Sequence, residues 1–204
     1  MLRILIAGVV GGALVFCGGA FTHMALNLEG RAFLNFAKDE EVRQALKAQQ
    51  LKPGVYRLPG LPEGWDKLKG EEHAKFVESW TAKYKEGPSG LLVIAPTGEE
   101  PMGPATLIGE FVTNVLAAVI AAWIVAGLAP GTAFVWRWAV VFSLGLFTWL
   151  STSSSLEIWY RFPDEFIRDG LYCSMIEWGV AGLAIAAIIK TDLPTVEPPS
   201  GPTS

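Results

Sequence analysis

Four residues in apolar surroundings carry what chemistry this chain has to offer: Glu110, Asn114, Glu177 and His23. Glu110 and Asn114 open the run EFVTNVLAAVIAAWIVAGL. Residues four apart share a helical face, so the carboxylate and the amide look in one direction. Glu177 stands inside the equally apolar stretch 171–189, and His23 closes the stretch 4–24. A carboxylate turned toward acyl chains costs at least ~2.5 kcal/mol near the bilayer centre and less toward its surface, so these groups are expected to face protein. Two kinds of chemistry follow. The plainer is interhelical hydrogen bonding at roughly 0.6 to 2 kcal/mol a bond; the other is a proton relay, an ion site or a cofactor ligand. Neutral imidazole is the usual axial donor to haem and chlorophyll metals, which makes His23 the candidate for a pigment or haem contact. A single interfacial histidine reads first as a hydrogen-bonded surface group, and no cofactor is predicted.

The elements that must position these residues are four segments of bilayer length, 4–24, 107–128, 133–150 and 171–189. About 20 residues at about 1.5 Å each cross a roughly 30 Å hydrocarbon core. On that scale Glu110 lies about 5 Å and Asn114 about 11 Å into the second span, and Glu177 about 9 Å into the fourth. The third span ends in Thr148, Ser151, Thr152, Ser153, Ser154 and Ser155, so Ser151 is placed in the same polar layer as Glu110, Asn114, Glu177 and His23. Arg3, Arg137 and Lys190 mark one side of the four spans, and retention of Lys and Arg in the cytoplasm makes that side the inside. Both termini are then cytoplasmic, and residues 25–106 and the loop 151–170 are outside. The first span is expected to be an uncleaved anchor rather than a signal peptide, because Phe16 stands before Cys17 where a small residue would be required. Its small-xxx-small pairs, such as Gly8 with Gly12, allow a neighbouring backbone to come close.

Composition agrees with a membrane protein. Of 204 residues, 51% are hydrophobic and only 18% charged, where soluble domains have about a quarter charged. The net charge of −4, without a basic stripe, speaks against nucleic acid as a partner. Two cysteines, Cys17 and Cys173, both in apolar segments, offer neither a disulfide framework nor a paired-cysteine metal site.

Residues 25–106 hold 11 of the 16 basic and 12 of the 20 acidic residues, and read as a small solvated α+β domain inserted between the first two spans. Acids first and bases later predict a helix over 39–49. A second helix over 71–85 carries Phe76, Val77, Trp80 and Tyr84 on one side. Residues 55–58 and 90–95 read as strands, the latter buried, with extra strands allowed around Trp65 and Thr97. His73 beside Glu71 and Glu72 on a first turn does not converge on one point, so no metal site is predicted there. Residues 156–168 alternate aromatic, charged and aliphatic types around Pro163 and are expected to lie along the outer interface. There Trp159, Tyr160, Arg161 and Phe162 form a candidate partner contact. The Pro-rich tail, residues 191–204, cannot build a core.

The Gly-rich first span ending in Thr22-His23-Met24, the run Gly87-Pro-Ser-Gly-Leu-Leu-Val-Ile-Ala-Pro96, Glu110-Phe-Val-Thr-Asn114 and Trp149-Leu-Ser151 followed by Trp159-Tyr-Arg-Phe-Pro163 together resemble a family of bacterial inner-membrane proteins without an assigned activity. The resemblance implies a bacterial source and the four-span layout, and nothing about chemistry.

No nucleophile with its base, phosphate loop or dinucleotide fingerprint occurs, so the chain is not expected to be an enzyme. The expected role is a non-catalytic accessory or scaffold subunit that binds other membrane subunits in a bacterial inner-membrane assembly, photosynthetic or respiratory. The alternative is a small proton or ion transporter using Glu110, Asn114 and Glu177.

Overall fold

A computed structural model describes residues 1–98 and 100–191 as a mostly helical chain with one small sheet. In chain order the helices are α1 (Leu2–Ala20), α2 (Asp39–Ala48), α3 (Gly70–Glu86), α4 (Pro104–Ala126), α5 (Phe134–Thr148), α6 (Ser154–Tyr160) and α7 (Asp164–Ile188). The strands are β1 (Gly54–Leu58) and β2 (Gly90–Ile94). Among the described residues two compact units result, one made of Met1–Phe33, Met102–Ser155 and 163–191, the other of Leu34–Pro101 with Leu156–Phe162. Among the described residues four helices are long and apolar enough to cross a membrane: Leu2–Ala25, Pro104–Ala126, Phe134–Tyr160 and Asp164–Ile188.

Glycine sets the packing of the first unit. A Cβ at Gly8 would fall on Val119 and one at Gly12 on the Val115 backbone, so α1 lies against α4 at backbone contact. Phe16 meets Phe111 edge-on with ring centroids 5.7 Å apart. As residue numbers rise along α1 they fall along α4, so the pair is antiparallel. Gly11 against Ile185 and Gly18 against Glu177 make α1 antiparallel to α7 as well. Helices α5 and α7 are joined the same way, by Gly145 against Trp178 and Gly182 against Val141. Trp138 Nε1 donates to the Gly179 carbonyl at 2.9 Å and Ser174 Oγ to the Gly145 carbonyl at 3.0 Å. The side-by-side order is α4, α1, α7, α5. The core is built largely from Ala7, Ala118, Ala121, Ala122, Val125, Val141 and Ile185. Small residues dominate because helices in lipid associate through close packing, not through escape from water. These directions bring Arg3, Arg137 and Lys190 to one end of the bundle, where Arg137 Nε donates to the Ala186 carbonyl at 3.2 Å.

The expected loop 151–170 is corrected. Helix α5 runs through a π-helical turn, Trp149–Ser153, directly into α6, and α7 begins at Asp164, before Leu171. Hydroxyls in the Ser/Thr run bond back to carbonyls of the preceding turn, Thr148 to Leu144 at 2.9 Å and Ser151 to Thr148 at 3.2 Å. Such bonds leave a helix bent but intact. The interruption falls at Arg161, with φ of 59°, ahead of Pro163. The segment 156–168 is therefore two helix ends and a short break.

In the second unit the order is α2, β1, α3, β2, and the strands pair antiparallel with Gly54 opposite Ile94 and Leu58 opposite Gly90. Around Trp65 there is a 3-10 turn, Trp65–Lys67, and the described residues hold only the two strands. The reading of β2 as a buried strand is corrected: a two-stranded ribbon leaves it half-covered, and none of the described residues of this unit is buried. On α3, Phe76, Trp80 and Tyr84 share the partly covered face while Val77 turns outward, 42% exposed. Glu71 pairs with Lys75 at 2.6 Å on the same helix. The Pro-rich tail lies outside the described residues, apart from Thr191.

Candidate functional site

The polar residues of the spans meet where glycine opens α1. Gly18 and Gly19 leave space beside α7 that the Glu177 side chain fills, its Cγ 3.1 Å from where a Gly18 Cβ would stand. One turn on, α1 widens into a π-helical turn, Phe21–Ala25, which carries Thr22 and His23. Single π turns of this kind recur at functional sites. Thr22 is fully buried, and its Oγ1 lies 2.9 Å from Glu177 Oε1 and 3.2 Å from the Gly19 carbonyl. A hydroxyl has one proton and two lone pairs, so Thr22 serves either state of the carboxyl. It donates to an ionised Glu177. From a protonated Glu177 it accepts, and its own proton turns to Gly19.

Across the opening, Asn114 Nδ2 donates to Glu110 Oε1 at 3.0 Å along the exposed face of α4. Glu110, Asn114, Glu177 and His23 all line one cavity of about 570 Å³, with Phe16, Ala20, Met24 and Leu107 as its apolar wall. Ser151 is not among the residues lining it. Its hydroxyl donates to the Thr148 carbonyl of its own helix at 3.2 Å. Helix α7 extends back to Asp164, and Glu177 sits near its middle.

Sequence reasoning missed the clamp beside this cavity. Asp169, fully buried, accepts from Arg31 Nε at 2.6 Å and Nη2 at 2.5 Å, a bidentate pair, and from the Glu29 backbone N–H at 3.2 Å. Two parallel charge-assisted bonds fix both distance and orientation. The clamp holds the turn after α1, where Glu29 adopts φ of 60°. Its carboxylate lies over Gly170, where any Cβ would stand 2.7 Å from Glu29 Oε1, and 3.9 Å from His23 Nδ1. Burial raises the Glu29 carboxyl above the ordinary range, with His23 pulling the other way and Asp169 reinforcing the rise. The available signal was Asp169 itself, an acid at the head of an apolar run where an unpaired charge is expensive. Its partner, in a loop far off in the chain, had no signal.

Trp159, Tyr160 and Arg161 belong to the second unit. Trp159 and Tyr160 line a cavity of about 270 Å³ with Arg57, Trp80, Tyr84 and Leu91, and the Arg161 guanidinium stands 5.6 Å from the Tyr84 ring centroid. Phe162 donates its N–H to the Leu156 carbonyl at 3.3 Å. Trp159 nevertheless stays 75% exposed.

Compared with protein-family models, with curated proteins and with solved structures, the chain gives no match in any of the three. The likeness to a bacterial inner-membrane family therefore rests on the short runs quoted above.

Proposed function

We propose that the protein is a non-catalytic accessory or scaffold subunit of a larger membrane assembly. The observation that carries this reading is the second unit: among its described residues none is buried, while Leu34 is 90%, Val93 81% and Trp159 75% exposed. A folded unit without a core of its own is marginal, and apolar exposure of this extent is usual at a protein contact. The partners are other membrane subunits, and the finer reading places the second unit on the periplasmic side of a bacterial inner membrane. Retention of Arg3, Arg137 and Lys190 on the cytoplasmic side supports that direction. An energy-converting complex, photosynthetic or respiratory, is the assembly to examine first. A photo-crosslinking residue placed at Val93 or Trp159 in the source membrane is expected to give one discrete heavier product from each site. Crosslinks to lipid alone from both sites would overturn the reading.

A second reading is favoured by the cavity lined by Glu110, Asn114 and Glu177. Acids at span depth facing a cavity are the usual stations of a proton or ion path. Purified protein in liposomes would then pass protons or cations, and E177Q would abolish the flux with the fold unchanged.

A further inference from the structure

We infer that His23, Cys173 and Glu177 form a binding site for one divalent transition-metal ion of the zinc kind, with the Glu29 carboxylate beside His23. An imidazole nitrogen, the Cys173 sulfur and a Glu177 carboxylate oxygen all lie within 4.8 Å of one another, although the residues come from two helices. Tetrahedral donors at zinc bond lengths stand about 3.5 Å apart. The donor atoms have roughly 1 Å to close on binding.

The mixture of donors selects the ion. Nitrogen, sulfur and oxygen together suit a borderline-soft metal, whereas magnesium and calcium require oxygen throughout. The surroundings fit a metal site too. The Thr22 hydroxyl, 2.9 Å from Glu177 Oε1, orients that carboxylate, and outer hydrogen bonds of this type commonly tune ligands. The Glu29 carboxylate, 3.9 Å from His23 Nδ1, is held there by the Arg31–Asp169 clamp on its own backbone N–H. His23 is exposed and lines the cavity, as does Glu177, which supplies the way in, while Cys173 is buried. On binding, the sulfur–hydrogen bond of Cys173 gives way to a sulfur–metal bond and one proton leaves to solvent. The inference does not depend on the accessory-subunit reading.

The test uses the full chain in lipid nanodiscs, in a C17S background that leaves Cys173 the sole thiol. Added Zn²⁺ is expected to bind at one per chain and to slow maleimide alkylation of Cys173 by at least about tenfold. Co²⁺ in its place is expected to show a thiolate-to-metal charge-transfer band that C173S removes. H23Q and E177Q should each weaken binding by at least about 100-fold, more than the roughly 10- to 100-fold typical of losing an outer partner, and E29Q by less. Circular dichroism of each variant separates loss of the site from loss of the fold. Unchanged alkylation with no thiolate band overturns the site, as does full affinity in both H23Q and E177Q; neither result would alter the mass at which the native particle runs.

Discussion

Glu177 is joined to α1 by a hydroxyl that works in both protonation states, so the bond survives when the charge does not. E177Q keeps an acceptor for Thr22 and is expected to change stability by less than about 0.5 kcal/mol, whereas E177A removes the Thr22–Glu177 bond and is expected to cost about 1 to 2 kcal/mol, read by thermal unfolding in detergent. The Arg31–Asp169 pair behaves differently. Asp169 is fully buried, and D169N leaves a guanidinium fork facing an amide, so D169N should lower the unfolding midpoint more than E177A does. R31K keeps the charge but loses the fork, and should fall between them. Away from the spans, hydrogen bonds from Arg43 and then Gln44 hold the Glu40 carboxyl below the ordinary range. Its contribution is present above that range and is lost as pH falls through the lowered value. Because the pair is exposed, E40Q should move the midpoint little at neutral pH while removing part of its acid dependence.

At the scale of elements, glycines on α1 decide how close the helices come. G12A pushes a methyl group into the Val115 backbone and is expected to destabilise by about 3 kcal/mol or more. Gly109 on α4 has open space beside it, so G109A should be neutral or slightly stabilising. Equal effects of the two substitutions would contradict the packing described. The small-xxx-small spacing of Gly8 and Gly12 was legible in the sequence, as were four helices of membrane-crossing length and the α, β, α, β order of the second unit. The helical Ser/Thr run was not, because polar residues after an apolar stretch look like a loop, whereas here their hydroxyls bond back to the preceding turn and leave the helix bent but intact. Glu110 with Asn114 could be read from spacing within one helix. The meeting of Cys173, Glu177 and His23 could not, since it depends on the register of α1 against α7, which Gly11 and Gly18 set through contacts with no signature in either helix alone.

For the whole molecule, the contrast between the units matters most. One buries Ala7, Ala118, Val125 and Ile185 completely, or nearly so; the other buries none of its described residues. The second unit also draws in Leu156–Phe162 from far along the chain, so a fragment 34–101 lacks Trp159 and Tyr160 and is expected to unfold without cooperativity. The measurement that bears most directly on the central claim is the mass of the native particle released from source membranes into detergent-free nanodiscs. The account predicts a particle of fixed composition in which this chain of 22.0 kDa accompanies larger membrane subunits, and from which W159A and V93D release it. A chain that runs alone at its own mass, with Trp159 and Val93 open to solvent, would contradict it.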